Sequence, residues 1–97
     1  MIIKKHIINH QLILAISDDD LIGKKFEEHD LPLDLTSSFY KGTHFDDGGA
    51  KQMIANARAL NIVGKKSIAF CASLGLVDLE RVIVISGIPH TQISIQG

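Results

Sequence analysis

The sequence predicts an α+β fold: a mainly antiparallel sheet, built from a hairpin, an edge strand and C-terminal strands, with an αα-hairpin packed on one face. Three observations carry this. Two apolar strand-like runs lie back to back across Asn9-His10 at the N-terminus. Two segments with helical spacing follow one another in the middle of the chain. Short β-branched runs broken by Gly87 and Pro89 close the sequence.

Ile2–Ile8 and Leu12–Ile16 read as the two strands of the hairpin, because asparagine and histidine tolerate the positive φ of a tight turn. Leu12-Ile13-Leu14-Ala15-Ile16 is apolar on both faces and belongs in the middle of a sheet. Ser17 is the expected N-cap of a short acidic turn, Asp18-Asp19-Asp20, which Gly23 ends. Leu31–Leu35 alternates with period two and contains Pro32, the pattern of an edge strand.

Residues 36–48 are the least regular and hold Phe39, Tyr40 and Phe45, three of the five aromatics. Asp46 or Asp47 then caps a helix on which Ala50, Met53, Ile54, Ala57 and Leu60 recur at three- and four-residue intervals. A second helix is predicted from Lys65 to Leu74, with Gly75 at a left-handed C-cap. Its Ile68-Ala69-Phe70-Cys71-Ala72 is apolar nearly all round, so burial on more than one side is expected. Arg81–Ser86 reads as a central strand and Thr91–Gln96 as the last one.

Composition bounds the function. A chain of 97 residues that is 45% hydrophobic can build one core, which sets the expectation of a single domain over 1–97 and excludes disorder. No apolar run approaches the roughly 18–20 residues that cross a bilayer, so no membrane partner is expected. The N-terminus lacks a signal-peptide core, and the single Cys71 has no intramolecular disulfide partner; the cytoplasm is the expected location. Net charge is −1, which argues against a generic nucleic-acid glue, but its distribution is uneven. Residues 1–47 carry five Lys against nine Asp or Glu; residues 48–97 carry five Lys or Arg against two. An anionic partner is therefore expected at the C-terminal half.

The strongest chemical hint is Asn61-Ile62-Val63-Gly64-Lys65-Lys66-Ser67. A helix N-terminus already carries partial positive charge, so two lysines there are unfavourable unless an anion is near. The segment resembles a helix-hairpin-helix, which implies sequence-independent contact with a nucleic-acid backbone; the motif's usual second glycine is Asn61 here. The competing account is a plain αα-corner with solvated lysines. A phosphate-binding P-loop is excluded, because position 59 is alanine and Lys66 stands where Ser or Thr should follow the lysine.

Other residues divide between chemistry and structure. His90 follows Pro89 in a rigid segment, either functional or satisfying loop carbonyls. Phe39-Tyr40 offers a platform for a base, or staples the loop to the core. His44, Asp46 and Asp47 have too simple an explanation as a helix start to predict a metal, and Asp18-Asp19-Asp20 point in different directions along a turn. No catalytic residues, metal or cofactor are predicted.

Five ordered motifs carry a wider resemblance: Leu21-Ile22-Gly23-Lys24, Ser38-Phe39-Tyr40-Lys41-Gly42, Asn61-Ile62-Val63-Gly64, Gly75-Leu76-Val77-Asp78 and Gly87-Ile88-Pro89-His90-Thr91-Gln92. Together, from about residue 11 to residue 92, they resemble the archaeal family known as domain of unknown function 424. The resemblance implies a small cytoplasmic archaeal protein with an α+β fold, and it brings no catalytic residues. The expected function is a non-enzymatic RNA- or ribosome-associated module linked to translation. Its phosphate contacts are expected at Gly64, Lys65 and Lys66, supplemented by Lys41, Arg58 and His90, and its partners are ribosomal or other structured RNA and translation proteins. The alternatives are a protein-interaction subunit pairing through Leu31–Leu35 or Ile93–Gln96, and a small enzyme centred on His90.

Overall fold

The computed structural model describes residues 1–95. β1 (Ile2–Ile8) and β2 (Gln11–Ser17) form the predicted antiparallel hairpin. Asn9 and His10 take φ of 52° and 64°, the pair of positive angles that a two-residue primed turn requires. β2 lies inside the sheet, and Leu14, Ala15 and Ile16 are wholly buried, as an apolar run on both faces demands.

A second hairpin, which sequence reading left out, follows: β3 (Lys25–Glu28) and β4 (Leu31–Asp34) pair around His29 and Asp30, again at positive φ. The expected edge strand is β4, but it belongs to this separate two-stranded sheet. A 3-10 turn at Ser38–Tyr40 and the two-residue β5 (Thr43–His44) order the irregular region. α1 runs Asp47–Ala55, and the Asp46 side chain accepts a 2.7 Å bond from the Gly49 amide as its cap.

The αα-hairpin does not form. Ala59–Val63 is a strand, β6, parallel to β2, and it separates α1 from α2 (Lys65–Ser73). Leu60-Asn61-Ile62-Val63 has only one residue in phase with the preceding helix, and its β-branched pair favours the pleated backbone. Burial on both faces between β2 and β8 then decides the matter. α2 ends as predicted: Gly75 at φ 76° bonds the Ala72 carbonyl and Leu76 bonds that of Cys71, a Schellman closure. Ala69 is exposed, so α2 is buried along one face rather than nearly all round.

β7 (Ile83–Ile85) and β8 (Ile88–Ser94) complete a six-stranded sheet ordered β5-β1-β2-β6-β8-β7, in which every pair except β2·β6 is antiparallel. β7 is therefore an edge, not a central strand, and Ile83 and Val84 on it are exposed. The expected Ile93–Gln96 pairing edge is largely β8, bonded to β6 on one side; Gln96 lies outside the described residues.

Both helices cover one face of the sheet. Ala50, Ile54, Ile68 and Cys71 pack there on Ile3, Leu14, Ile16, Leu60 and Ile62. Each of the fully buried aliphatic side chains contributes about 1.5–3 kcal/mol of transfer free energy. On the other face the β3–β4 hairpin and Tyr40 bury Ala15, Val63 and Ile85. The rest of that second face, over β2, β6 and β8, is not covered by the hairpin and carries the trough described below.

Candidate functional site

β2 and β6 run parallel, so their carboxyl ends lie together, and α2 springs directly from the end of β6 through Gly64. The anion that this helix start calls for comes from the chain itself. Asp18, 7% exposed at the end of β2, accepts from the Ser67 amide (2.8 Å), the Ser67 hydroxyl (2.7 Å) and the Lys66 amide (3.1 Å). The Gly64 amide is also taken, by the Pro89 carbonyl at 2.9 Å. Ser17 is the last residue of β2, not a cap, and the Asp18 side chain makes no cap to the turn that follows it because it is bonded to α2.

The six residues expected at a phosphate site are thereby dispersed. Lys65 and Lys66 are exposed and line a cavity of about 410 Å³ together with Asp18 and Asp20; Lys66 also borders a second one with Asp18, Asp19, Asp20 and His44. Asp18, Asp19 and Asp20 of the acidic N-terminal half thus lie beside the basic helix start. His44 is bonded to Asp19 at 2.7 Å. Arg58 sits at the opposite end of β6, roughly 20 Å of strand away from Gly64. His90 pairs with Val63 and Ile83; its Nε2 is buried without a hydrogen-bond partner among the described residues, and burial lowers its pKa.

Lys41 is placed differently. With Lys4 and Lys5 of β1 it lines a cavity of about 230 Å³, and among the described residues none that lines it is acidic. Gly42 makes this approach possible, since a Cβ there would collide with the Ile3 carbonyl and the Lys4 nitrogen. No three His, Cys, Asp or Glu side chains among the described residues are grouped as a metal site. No helix is long and apolar enough to cross a membrane among those residues.

The most distinctive polar feature lies on the hairpin-side face of the sheet. Ser17, Asn61 and His90 all point to this face, and each holds a buried side-chain atom with no hydrogen-bond partner among the described residues: Ser17 Oγ, Asn61 Oδ1 and His90 Nε2. Asn61, 9% exposed, lines an open trough of about 410 Å³ with its cross-strand partner Gln92, Ser94, Ala59, Ile13 and Phe39. Phe39 is half-buried and stacks on His6, with ring centroids 4.4 Å apart and planes at 15°; Tyr40 meets it edge-on at 5.0 Å. The His6 ring is fixed by a 3.0 Å contact between Nε2 and the Phe39 carbonyl. Phe39 thus lines an open surface while Tyr40 enters the core.

Sequence reasoning missed Lys4, Lys5, Gln92 and Ser94, and it placed Asn61 in a turn. Asn61 had a usable signal, a lone polar residue inside Leu60-Asn61-Ile62-Val63. The lysines had none, because only the pairing of β5 with β1 brings residue 41 beside residues 4 and 5.

The fold has a close counterpart. A crystal structure of an uncharacterized conserved protein from Methanopyrus kandleri is similar over 99% of this chain and 94% of its own, with a TM-score of 0.79 at 21% identity. A comparison with curated proteins gave no match. The family model described as Protein of unknown function (DUF424) matches residues 6–95, almost the whole sequence, and the chain belongs to that family.

Proposed function

We propose that this protein is a non-enzymatic RNA-binding module, ribosome-associated and linked to translation, that contacts phosphate through Lys4, Lys5 and Lys41. The observation that carries the reading is that Lys4, Lys5 and Lys41 border one cavity at the β1–β5 edge, with no acidic residue lining it among the described residues. Cations left without a local counter-charge attract an external anion, whereas Lys65 and Lys66 face Asp18 and Asp20. Phosphate contact thus moves from the helix start to the β1–β5 edge, with Lys41 the one residue common to both expectations.

Co-sedimentation with ribosomal particles and anisotropy with a structured RNA test the reading. Affinity should fall with salt, and Lys4→Glu, Lys5→Glu and Lys41→Glu combined should weaken it at least about tenfold and flatten the salt slope by about 2. Lys65→Glu with Lys66→Glu should do much less. Failure to bind at low ionic strength, or indifference to the triple reversal, overturns it.

A second reading has its own support. β7 is a sheet edge carrying exposed Ile83 and Val84, with Leu79 exposed just before it, an apolar edge that suits a protein partner adding a strand. An enzyme centred on His90 has less: among the described residues the imidazole is bonded to no carboxylate, and its buried Nε2 has no partner to orient it.

A further inference from the structure

We propose that the trough over β2, β6 and β8 seats an unpaired nucleobase, with Asn61 reading its hydrogen-bonding edge and Phe39 forming the wall beside its ring. This rests on the RNA-binding reading and adds to it what the protein recognises beyond phosphate.

The chemistry of the lining selects the occupant. Ile13, Phe39, Ala59, Asn61, Gln92 and Ser94 include no ionisable group, so the part of the ligand that enters is neutral, not a phosphate or a carboxylate. Asn61 and Gln92 are register partners on adjacent strands and face the same way, which sets two carboxamides side by side. A carboxamide offers a donor and an acceptor in one plane, matching the adjacent N–H and ring nitrogen or carbonyl of a base edge. Ala59 opposite Ile13 keeps the floor shallow, and Phe39, braced by His6, supplies a rigid flat neighbour. The volume of about 410 Å³ falls in the ordinary range for small-molecule sites.

The independent observation is the Asn61 Oδ1, buried and without a partner among the described residues. A fold gains nothing from holding an acceptor in that state, and a leucine of similar volume would remove the cost. The acceptor is accounted for if a ligand N–H completes it. The phosphate side is also in place: Phe39 lines the trough, and Lys41, two residues later, lines the lysine cavity. A strand whose base entered the trough would carry its backbone past these cations.

The test compares an oligoadenylate with a ribose-phosphate oligomer of the same length lacking bases, using the whole protein. Oligoadenylate should bind on the order of tenfold more tightly, and the side-chain NH₂ signals of Asn61 and Gln92 should shift with it and stay still with the abasic oligomer. Asn61→Leu should erase the difference while keeping the thermal midpoint equal or higher, and the exposed Gln92→Ala should reduce it without touching the core. Equal affinity for the two oligomers overturns the base-seating proposal and leaves the lysine reading standing. Binding of neither overturns both.

Discussion

The carboxylate of Asp18 occupies the volume that a side chain on Gly64 would fill, so the two positions are fitted to one another across the end of the parallel β2·β6 pair. Gly64 is at φ +107°, a region that L side chains rarely adopt, and its lack of a Cβ lets Asp18 reach the first amides of α2. The helix dipole, two amides and a buried hydroxyl are thereby satisfied within the chain. That is why the lysines following Gly64 do not by themselves define an anion site.

Asp18→Ala should destabilise the protein by about 3 kcal/mol, because it strips charge-assisted bonds from a buried helix start and leaves the Ser67 hydroxyl without its partner. Gly64→Ala should cost about 2 kcal/mol or more through backbone strain and collision. Combined, the two should cost less than their sum, since removing the carboxylate relieves the collision. Urea unfolding of the three variants measures this, and strict additivity would show that the residues do not share one space.

Gly42→Ala should displace Thr43 and His44 from β1, since the new methyl would lie against the Ile3 carbonyl, which is backbone and cannot rotate away. The expected stability loss is about 1–3 kcal/mol, as for other overpacking changes. On the proposed RNA-binding role, affinity should fall with it even though no charge changes, because Lys41 loses its place beside Lys4 and Lys5. Amide exchange of Thr43 and His44 against that of β2 reports whether the damage is confined to this edge.

The local elements with a periodic or turn signature were legible: the Asn9-His10 hairpin, buried β2, the Asp46 cap and the Gly75 closure of α2. What failed was decided by tertiary partners. Leu60 fits the end of a helix as well as the start of a buried strand, and only its placement between Leu14 and Ile93 makes it a strand residue. The expected site residues lie apart for the same reason. The basic signal at Lys65-Lys66 is real in sequence, but Asp18, nearly fifty residues earlier, answers it in space, while Lys4 and Lys41 meet only through β5. Asn61 reads in sequence as a missing glycine, whereas in the fold it is a strand residue with a buried Oδ1 that has no hydrogen-bond partner among the described residues.

Cys71 should be inert in the folded state. It is fully buried on the sheet-facing side of α2, and burial pushes its thiol up to about 11. Almost none is thiolate at pH 8, and reagent has no access. Iodoacetamide should leave the native protein unmodified by intact mass and label it stoichiometrically in denaturant. Rapid native labelling would mean that α2 lifts from the sheet, and Asp18→Ala should accelerate exactly that opening by weakening the start of the helix.

His90 should make the fold less stable as pH falls. Burial lowers its pKa from an ordinary value of 6.5, so the folded protein holds the ring neutral where the unfolded chain protonates it. From about pH 7.5 upward both states are almost wholly deprotonated and the residue adds little pH dependence. Below that value the unfolded state binds more protons, and stability drops until the lowered folded pKa is passed. One proton limits the slope to about 1.4 kcal/mol per pH unit, and solvent reaching the half-buried ring reduces it further. The informative quantity is the difference between wild type and His90→Leu in urea unfolding at several pH values. That difference should be nearly flat from about pH 7.5 upward and shift in favour of the variant below about pH 6.5. A shift in the opposite sense would require a negative group beside Nε2, where the structure has none bonded.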